Sequence, residues 1–415
     1  MVPLGQSKND SKRGSFRLGR KPAILLSAVA VIALAIPAVA DAKKKGKKGG
    51  PKVTVMTRNV FLGADLGPAI GAGSLPEAIN GAGEIYNELE STNFPVRAVP
   101  LAQEIKDSKA DLVGLQEVAL WRTQTPSDLG APPSGVGEPA TDVKYDFLAL
   151  LREELKNVGA KYKLVGVQEE FDSELPANTD GDEATGPLGA ELDARLTMRD
   201  VILARKGSKV KTGKVAMANY TNRFVAEIAG IEIPADRGWL SVEAKVGGKG
   251  KGKGASASKK KKGGSTKFTF VNTHLEAFGE PTIREAQAKE LIAGPLNTNK
   301  QVILVGDINS GLQERHAAGA YEFQPGDPLA FQALQAAGFK DNGAVKLNQP
   351  YPQTCCYSDL FDETQVFDHT VDHVLTNPGL KTKKAFVTGN DVSQRPSDLW
   401  PSDHGGKVSK LQLKK

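Results

Sequence analysis

A carboxylate and a carboxamide follow an apolar run of the sequence that is typical of a buried β-strand. Residues 302–305 are four apolar, mostly β-branched side chains, and Gly306 then allows a turn before Asp307 and Asn309. Residues two positions apart at the end of a strand lie on the same face. Oxygen ligands placed in this way can bind a hard metal ion or a phosphate group, although an apolar strand followed by aspartate occurs in many α/β proteins.

Three further short apolar runs carry groups that can ligate a metal ion or transfer a proton. Two of these runs end in such groups. The third run contains one such group, and two more such groups follow further along the chain. The side chains are, in chain order, Glu117, Asn272, His274, Asp372, Asp403 and His404. The recurrence of this arrangement makes a metal-dependent, phosphate-handling site the leading interpretation of the sequence.

The ordered set resembles the endonuclease/exonuclease/phosphatase superfamily, the deoxyribonuclease I-like group of metal-dependent phosphoesterases. The resemblance runs from about Val53 to the C-terminus, and its most specific parts are the sequences Asn-Thr-His-Leu at 272–275 and Ser-Asp-His at 402–404. It implies a four-layer α/β sandwich, in which two mainly antiparallel sheets pack face to face with helices outside. The active site would lie at one edge, where the strand ends converge.

The resemblance implies that Glu117 is the main metal ligand, with help from Asn59 and Asp403. A carboxylate at the end of a buried strand is costly unless it is paired or ligates a cation, which supports this interpretation of Glu117. Asn59 could instead cap the loop that follows it. Carboxylate and amide oxygens select a hard cation, so we expect Mg²⁺, with Mn²⁺ or Ca²⁺ as alternatives.

The resemblance also implies roles for the residues that would carry out catalysis. His404 would remove a proton from water, with Asp372 holding its other ring nitrogen and so fixing its tautomer and orientation. Asp307 and Asn309 would position the nucleophile and the phosphate. His274 would donate to a non-bridging or leaving oxygen, although a histidine at a strand end is often only a structural group.

Several neighbouring residues have simpler interpretations. Arg199 begins another predicted strand and could bind a phosphate, with an ordinary salt bridge as the competing role. His373 is expected to pack on the face of its strand that is opposite to Asp372. Arg284, Gln287 and Leu291 lie at helical spacing and are expected to pack their helix onto a sheet.

The elements that must position these groups can be predicted from hydrophobic periodicity. The first strand is expected over 53–60, and helices over 95–109 and from Phe147 to Leu155. Residues 239–246 and 266–274 have the pattern of paired strands, connected by a lysine-rich loop. That loop would form the tip of a hairpin and contribute nothing to the core.

The composition is that of an ordinary soluble protein, with 40% hydrophobic and 25% charged residues in a chain of 415. One mixed α/β domain with insertions fits this length as well as two small domains. The net charge of +6 is unevenly distributed, because residues 43–52 contain six lysines and residues 245–267 contain nine, both without an acidic residue. The rest of the enzyme body is therefore acidic. The lysine tracts could bind nucleic acid or an anionic membrane, or could be solvated spacers without a ligand.

The N-terminus has the pattern of a secretory signal peptide. Basic residues precede an apolar run over 23–40, and small residues follow at positions suited to cleavage. The run is close to membrane-spanning length, so an uncleaved anchor is the alternative. We expect a signal peptide over 1–42, a lysine-rich linker over 43–52 and the phosphoesterase domain over 53–415, with the insertion 245–267. The mature protein would be secreted or held in the cell envelope.

The only two cysteines, Cys355 and Cys356, are adjacent in the sequence. A bridge between neighbours departs from ordinary disulfide geometry, because successive Cα atoms are about 3.8 Å apart in a trans peptide. Export would favour oxidation. A bridge that stiffens a substrate loop and a pair of free or mixed-disulfide thiols both remain open at this stage.

These observations favour an exported metal-dependent phosphodiesterase that hydrolyses nucleic acid by attack of water on phosphorus. A sphingomyelinase or phospholipase C-like enzyme, or a hydrolase of small phosphate esters, is the first alternative. A non-catalytic binding protein on the same scaffold is the second, and the completeness of the residue set argues against it. The sequence indicates no obligate protein partner.

Overall fold

Two large β-sheets stacked face to face form the centre of the computed structural model. The structure describes residues 49–247, 265–311, 328–342, 353–367 and 369–415. These residues lie within one compact unit that spans Lys48–Lys415.

The described part of the chain forms six α-helices and sixteen strands. The helices are α1 (Gly67–Ile70), α2 (Leu75–Thr92), α3 (Phe94–Ser108), α4 (Phe147–Asn157), α5 (Pro281–Ala293) and α6 (Leu329–Ala336). The first eight strands are β1 (Lys52–Asn59), β2 (Leu112–Gln116), β3 (Leu120–Gln124), β4 (Asp142–Asp146), β5 (Tyr162–Ala177), β6 (Leu192–Arg205), β7 (Val210–Asn219) and β8 (Phe224–Ile228). The remaining eight are β9 (Ile231–Ala235), β10 (Gly238–Val246), β11 (Thr266–His274), β12 (Gln301–Asp307), β13 (Lys340–Asp341), β14 (Asp372–Asn377), β15 (Lys381–Thr388) and β16 (Gly406–Gln412).

Each large sheet is antiparallel except for one parallel pair. The first sheet has the order β15-β16-β1-β2-β6-β3-β4, with β5 also paired to β6, and β1 and β2 run parallel. The second has the order β13-β14-β12-β11-β10-β7, with β11 and β12 parallel. Strands β8 and β9 form a separate two-stranded hairpin. This is the predicted arrangement of two mainly antiparallel sheets.

The alternation of apolar residues along the strands builds the layers. In β1, Val53 and Val55 point into the centre of the sandwich, where they pack with Val242, Phe268 and other residues of the second sheet. Their neighbour Met56 points outward to helices α2, α3 and α4. Fully burying one such side chain stabilises the fold by about 1.5–3 kcal/mol.

The second sheet is covered on its outer face by α5 and α6. Val271 and Leu304 of this sheet pack against Leu291 of α5 and Phe331 and Leu334 of α6. The molecule therefore has four layers in the order helix, sheet, sheet, helix, which confirms the predicted fold class.

The predicted elements near the site are also confirmed. The helix expected over 95–109 is α3, and the helix expected from Phe147 to Leu155 is α4. The buried face of α5 includes Arg284, Gln287 and Leu291. Strands β10 and β11 pair as expected, with Val246 opposite Thr266.

Several predictions fall on residues that the structure does not describe. The predicted signal peptide over 1–42 lies outside the described residues, as does most of the lysine-rich linker over 43–52. The central part of the insertion 245–267, residues 248–264, also lies outside them. Among the described helices, none is long and apolar enough to cross a membrane.

A buried amide joins the two sheets close to the edge at which the candidate residues lie. Asn272 of β11 donates through Nδ2 to the carbonyl oxygen of Leu115 at 3.0 Å and to Asp200 Oδ2 at 3.2 Å. Its Oδ1 accepts from Gln116 Nε2 at 2.5 Å. A Cβ atom at Gly114 would overlap this Oδ1, so the close approach of the strands here requires glycine.

We predict that Asn272→Ala lowers the free energy of unfolding by about 3 kcal/mol, since it removes the hydrogen-bond partner of Gln116 Nε2 and of Asp200 Oδ2 in the interior. Urea denaturation followed by circular dichroism measures the change. Ser241→Ala on the adjacent strand is the control, because it removes a single hydrogen bond to the Ala216 carbonyl and should cost only about 1 kcal/mol. Equal losses in the two variants would show that Asn272 has no special role between the sheets.

Candidate active site

Six strand ends bring the predicted residues to one edge of the sandwich. Parallel strands β1 and β2 end there, as do parallel strands β11 and β12, whereas β14 and β16 run in the opposite direction and begin there. The side chains presented at this edge are Asn59, Glu117, His274, Asp307, Asp372 and His404. The pairing of the strands thus gathers residues from the whole length of the domain.

Asp307 lies at the centre of this group and is almost fully buried. Its Oδ2 accepts from Asn59 Nδ2 at 3.1 Å and lies 3.6 Å from Nε2 of both His274 and His404. Its Oδ1 accepts from the backbone N–H of Asn309 at 2.9 Å. Burial and the nearby charge of Asp372 raise the pKa of Asp307. Asp307 therefore contacts both histidines through one oxygen.

Glu117 supplies a second carboxylate next to Asp307. Its Oε1 accepts from Asn59 Nδ2 at 2.8 Å, and its Oε2 accepts from the backbone N–H of Leu62 at 2.8 Å. Burial and then the charge of Asp403 raise the pKa of Glu117. One ligand atom each from Glu117, His274 and Asp307 lies within 4.8 Å of the other two, which is a spacing that can hold a metal ion.

A hard divalent cation fits this donor set. The Glu117, Asp307 and Asp403 carboxyls lie at the same edge, and removal from water is the main cause of the raised pKa of each. Such groups are destabilised as anions unless a cation compensates them. Carboxylate oxygens are the ligands that Mg²⁺ and similar ions prefer. Asn59 Oδ1 accepts a hydrogen bond from the Phe61 N–H, and Asn59 Nδ2 donates to Glu117 and Asp307. Direct ligation of the metal ion by Asn59 therefore stays a prediction.

His404 and Asp372 form a buried hydrogen-bonded pair. Nδ1 of His404 lies 2.9 Å from Asp372 Oδ2, and Nε2 faces Asp307. Burial by itself lowers the pKa of His404, but the charges of Asp372, Asp403 and Asp307 outweigh it and hold the pKa well above its ordinary value. The ring is thus oriented by one carboxylate and presents its other nitrogen to the centre of the site.

His274 has the opposite environment. Nη1 of Arg237 lies 3.1 Å from its Nδ1, and because a guanidinium can only donate, Nδ1 must accept and the proton of the neutral ring lies on Nε2. Burial, followed by the charges of Arg237 and His404, holds the pKa of His274 well below its ordinary value. Asn309 Nδ2 lies 3.2 Å from Nε2 of His274 and donates to the Leu275 carbonyl. Two N–H groups therefore lie side by side at this edge.

Asp403 borders the site and is partly exposed. Ser402 Oγ donates to its Oδ1 at 3.2 Å. Burial raises the pKa of Asp403, while the positive charges of His404 and Arg97 oppose this shift. Arg97 is buried, donates to the carbonyls of Val60 and Pro401, and has its pKa lowered to about 9 by burial. It holds together the two loops that carry Asn59 and Asp403.

The prediction that Arg199 contacts the phosphate is not supported by its position. Its guanidinium donates to the carbonyls of Val118 and Ala119 and pairs with Asp146 at 2.6 Å. The competing interpretation, a structural ion pair, is the one found. Because these carbonyls directly follow Glu117, Arg199 fixes the loop that presents that carboxylate.

His373 packs away from the site, as expected. Its ring lies 4.7 Å from that of Phe331, and its Nε2 contacts the Ser310 carbonyl at 3.0 Å. It is therefore part of the packing between the second sheet and α6.

The two cysteines are joined by a disulfide that lies against His404. Sγ of Cys355 is 3.4 Å from His404 Nε2, and Sγ of Cys356 is 3.9 Å from the same atom. Hydrogen bonds anchor the segment on both sides, since Thr354 Oγ1 accepts from Asp372 N–H and Tyr357 N–H donates to the Asp403 carbonyl. Of the two open alternatives, the structure contains the bridged form, and it forms a wall of the site.

The sequence analysis missed the arginines that support the site. Arg237 fixes the tautomer of His274, and Arg58 donates to the His404 carbonyl while pairing with Glu104 at 3.1 Å. The register of the predicted hairpin could have identified Arg237 as a neighbour of His274. If residues 246 and 266 are paired across the predicted hairpin, residue 238 falls opposite His274, and Arg237 must lie beside it.

Comparisons with solved structures find similar proteins at low sequence identity. An endonuclease/exonuclease/phosphatase family protein from Bacteroides thetaiotaomicron is 16% identical, over 88% of this chain and 99% of its own, with a TM-score of 0.49. A mannosyl-6-phosphatase from the same organism is 16% identical, over 87% of this chain and 100% of its own, with a TM-score of 0.47. Truncated Caenorhabditis elegans TDP2 is 16% identical, over 87% of this chain and 98% of its own, with a TM-score of 0.42.

These TM-scores lie below 0.5, so we base the family on the sequence match alone. No curated protein matches the chain. Residues 79–404, which include most of the described domain and all candidate site residues except Asn59, match the Endonuclease/Exonuclease/phosphatase family. This is the family that the ordered residues predicted. The chain belongs to the endonuclease/exonuclease/phosphatase family.

Proposed function

We propose that this protein is a metal-dependent phosphodiesterase that hydrolyses nucleic acid by attack of water on phosphorus. The observation that carries the proposal is the position of the His404–Asp372 pair, whose Nε2 lies 3.6 Å from Asp307, the carboxylate that Asn59 links to Glu117. A base and a metal-binding group at one point are the two requirements of this reaction.

Glu117 and Asp307 would hold the cation, with Asp403 beside them and Asn59 orienting the pair. The ion, which we propose to be Mg²⁺ with Mn²⁺ or Ca²⁺ as alternatives, supplies positive charge to a phosphoryl oxygen and to the leaving oxygen. Phe61 and Leu62 contribute backbone N–H groups that fix Asn59 and Glu117 in this geometry.

His404 would take the proton from the attacking water at its Nε2. Asp372 holds the other nitrogen, so that Nε2 faces the site, and it stabilises the ring after protonation. His274 and Asn309 present N–H groups next to Asp307. Because Arg237 keeps the Nε2 proton on His274, these two donors are suited to bind a phosphate oxygen as its charge increases.

The lysine-rich segments of the sequence support nucleic acid as the substrate, since they would add attraction for phosphates. The predicted signal peptide supports action outside the cytoplasm, by secretion or in the cell envelope.

A second candidate is a phospholipase C-like activity on a lipid headgroup. It is favoured by an apolar cavity of about 80 Å³ whose lining includes Trp121, Phe171, Phe224 and Phe278. Arg237, which contacts His274, also lines this cavity. An acyl chain of a substrate could lie in such a cavity.

We predict that His404→Ala lowers kcat by about 10²–10⁴-fold, because the base is lost. Asp372→Asn should lower it by about 10²-fold or more, since the asparagine no longer holds the ring in the productive tautomer. The double variant should be no slower than His404→Ala, because the two groups act as one unit. Turnover of a plasmid DNA substrate is measured, with circular dichroism as the control for folding. Near-normal turnover by His404→Ala would refute the assignment of the base.

We predict that EDTA abolishes activity and that Mg²⁺ restores it. Glu117→Gln should raise the Mg²⁺ concentration needed for half-maximal activity by about tenfold or more, because one anionic ligand is lost. Calorimetric titration with Mg²⁺ compares the metal affinity of the variant with that of the wild type in the absence of substrate. Asp107→Asn, on an exposed surface of α3, is the matched control and should leave the metal requirement unchanged.

To test the substrate, we would offer supercoiled plasmid DNA, RNA, sphingomyelin and phosphomonoesters in parallel, with His404→Ala as the blank. We expect magnesium-dependent nicking of DNA. Release of phosphocholine with DNA intact would instead establish the second candidate. In that event Ala226→Phe, which fills the apolar cavity, should abolish lipid hydrolysis while sparing a small soluble phosphodiester.

A further inference from the structure

The end of the sandwich opposite the candidate active site is rich in exposed basic residues. Lys52 begins β1 and Asn59 ends it, so that seven steps of about 3.3 Å place Lys52 about 23 Å from the site. In the second sheet, Val246 pairs with Thr266 at this far end, whereas Gly238 pairs with His274 at the site. We refer to the end marked by Lys52 and Val246 as the basic end.

A cleft of about 280 Å³ opens at the basic end. Its lining includes Lys52, Arg205, Lys209 and Val246, and it also includes Asp111. Both oxygens of Asp111 are already engaged, since Oδ1 pairs with Arg205 at 2.5 Å and Oδ2 accepts from the backbone N–H of Thr54 at 2.9 Å. Across the described ranges, Lys52 and Lys209 make no ion pair. The cleft therefore has an excess of positive charge.

Strand β15 extends this charge along the edge of the first sheet. Lys381 and Lys52 are both paired with Gln412 of β16, which places them level with each other on the two strands that flank β16, about 10 Å apart. Lys383 is exposed, and the pKa of its ammonium group is lowered by partial desolvation and by the like charges of Lys381 and Lys52. Cations this close to one another are best stabilised by a polyanion.

The two lysine-rich segments of the sequence are connected to the same end. Residues 43–48 contain five lysines and precede Gly49, and residues 248–264 contain seven lysines between Gly247 and Ser265. Neither segment contains an aspartate or glutamate. The described residues that flank these segments, Gly49, Gly247 and Ser265, adjoin the basic end.

We propose that the basic end is a second nucleic-acid contact, which binds the phosphate backbone about 23 Å from the catalytic edge and is centred on Lys52, Lys209 and Lys383. The proposal rests on nucleic acid as the substrate of the proposed function. A concave cleft can admit the phosphates of a strand down to Arg205, whereas a flat lipid surface would contact only its rim. Nucleic acid held here would remain near the enzyme between cleavage events.

The test compares wild-type protein with the variant Lys52→Glu, Lys209→Glu, Lys383→Glu. Binding of a fluorescein-labelled 30-base-pair DNA is measured by anisotropy in EDTA, so that no cleavage occurs, over a range of salt concentrations. For wild type, log K should fall steeply with log salt concentration. In the variant the slope should decrease in magnitude by about 0.9 for each lysine that contacts a phosphate, and affinity at low salt should fall more than about tenfold.

The matched control is a second triple variant, in which the net charge changes by the same amount but the substituted residues lie outside the cleft. Lys144→Glu, Arg223→Glu and Lys289→Glu alter residues that form exposed or partly exposed ion pairs away from the cleft. This triple variant should retain most of the wild-type slope. Equal losses in the two triple variants would overturn the proposal, because they would show an effect of net charge alone. An unchanged slope in the Lys52, Lys209, Lys383 variant would also overturn it.

A second readout separates this proposal from the proposed function. Hydrolysis of the small diester bis(p-nitrophenyl) phosphate with Mg²⁺ should be unchanged within about twofold in the Lys52, Lys209, Lys383 variant, since the catalytic edge is intact. If wild type hydrolyses no phosphodiester, the proposed function fails, while the binding measurement in EDTA still decides the role of the basic end. Binding of phosphatidylserine vesicles without binding of DNA would overturn the assignment to nucleic acid.

Discussion

The burial of several carboxylates at one edge of the sandwich is the constraint on which the rest of the site depends. Glu117, Asp307, Asp372 and Asp403 converge there, and proximity and burial make their shared negative charge unfavourable. Three kinds of group offset this negative charge: the backbone N–H groups of the loop after β1, the amide of Asn59 and the imidazole of His404. The spacing of the ligand atoms would also allow a cation to offset it. The strand pairing keeps these groups in place because each lies within a residue or two of a hydrogen-bonded ladder.

Two histidines with the same intrinsic chemistry acquire different properties from their neighbours. Asp372 faces the Nδ1 of His404 and favours its protonated form, whereas Arg237 faces the Nδ1 of His274 and disfavours it. The pKa values of the two rings are therefore displaced in opposite directions. Separation of this kind favours the protonated form of one ring and keeps the other a neutral donor, with Nε2 of both rings 3.6 Å from Asp307 Oδ2. The disulfide of Cys355 and Cys356 forms the wall behind the first ring.

The buried arginines are the framework of this edge. Arg58, Arg97 and Arg199 donate to backbone carbonyls of the loops that carry Asn59, Glu117, Asp403 and His404. These loops come from distant parts of the chain, and guanidinium groups with several donors are suited to joining them. The positive charge also offsets part of the carboxylate charge, as the effect of Arg97 on Asp403 shows.

The sequence alone supplied the ordered set from Asn59 to His404, whose resemblance to a known family implied the fold class. Periodicity predicted individual elements, among them the first strand, α3, α4 and the paired strands β10 and β11. These features are local, since a strand or helix is encoded in its own pattern of apolar residues. Only the tertiary structure decided which partners each group meets. Arg237 and His274 are 37 residues apart, and Cys355 and His404 are 49 apart, so their contacts depend on strand register and loop packing rather than on any one segment. The same reason explains why only the structure could decide between the two roles considered for Arg199, in favour of the ion pair. It also explains why the sequence did not show that Lys52, Lys209 and Lys383 lie at the end opposite the site: charge is visible in the sequence, but its position is set by the pairing of the sheets.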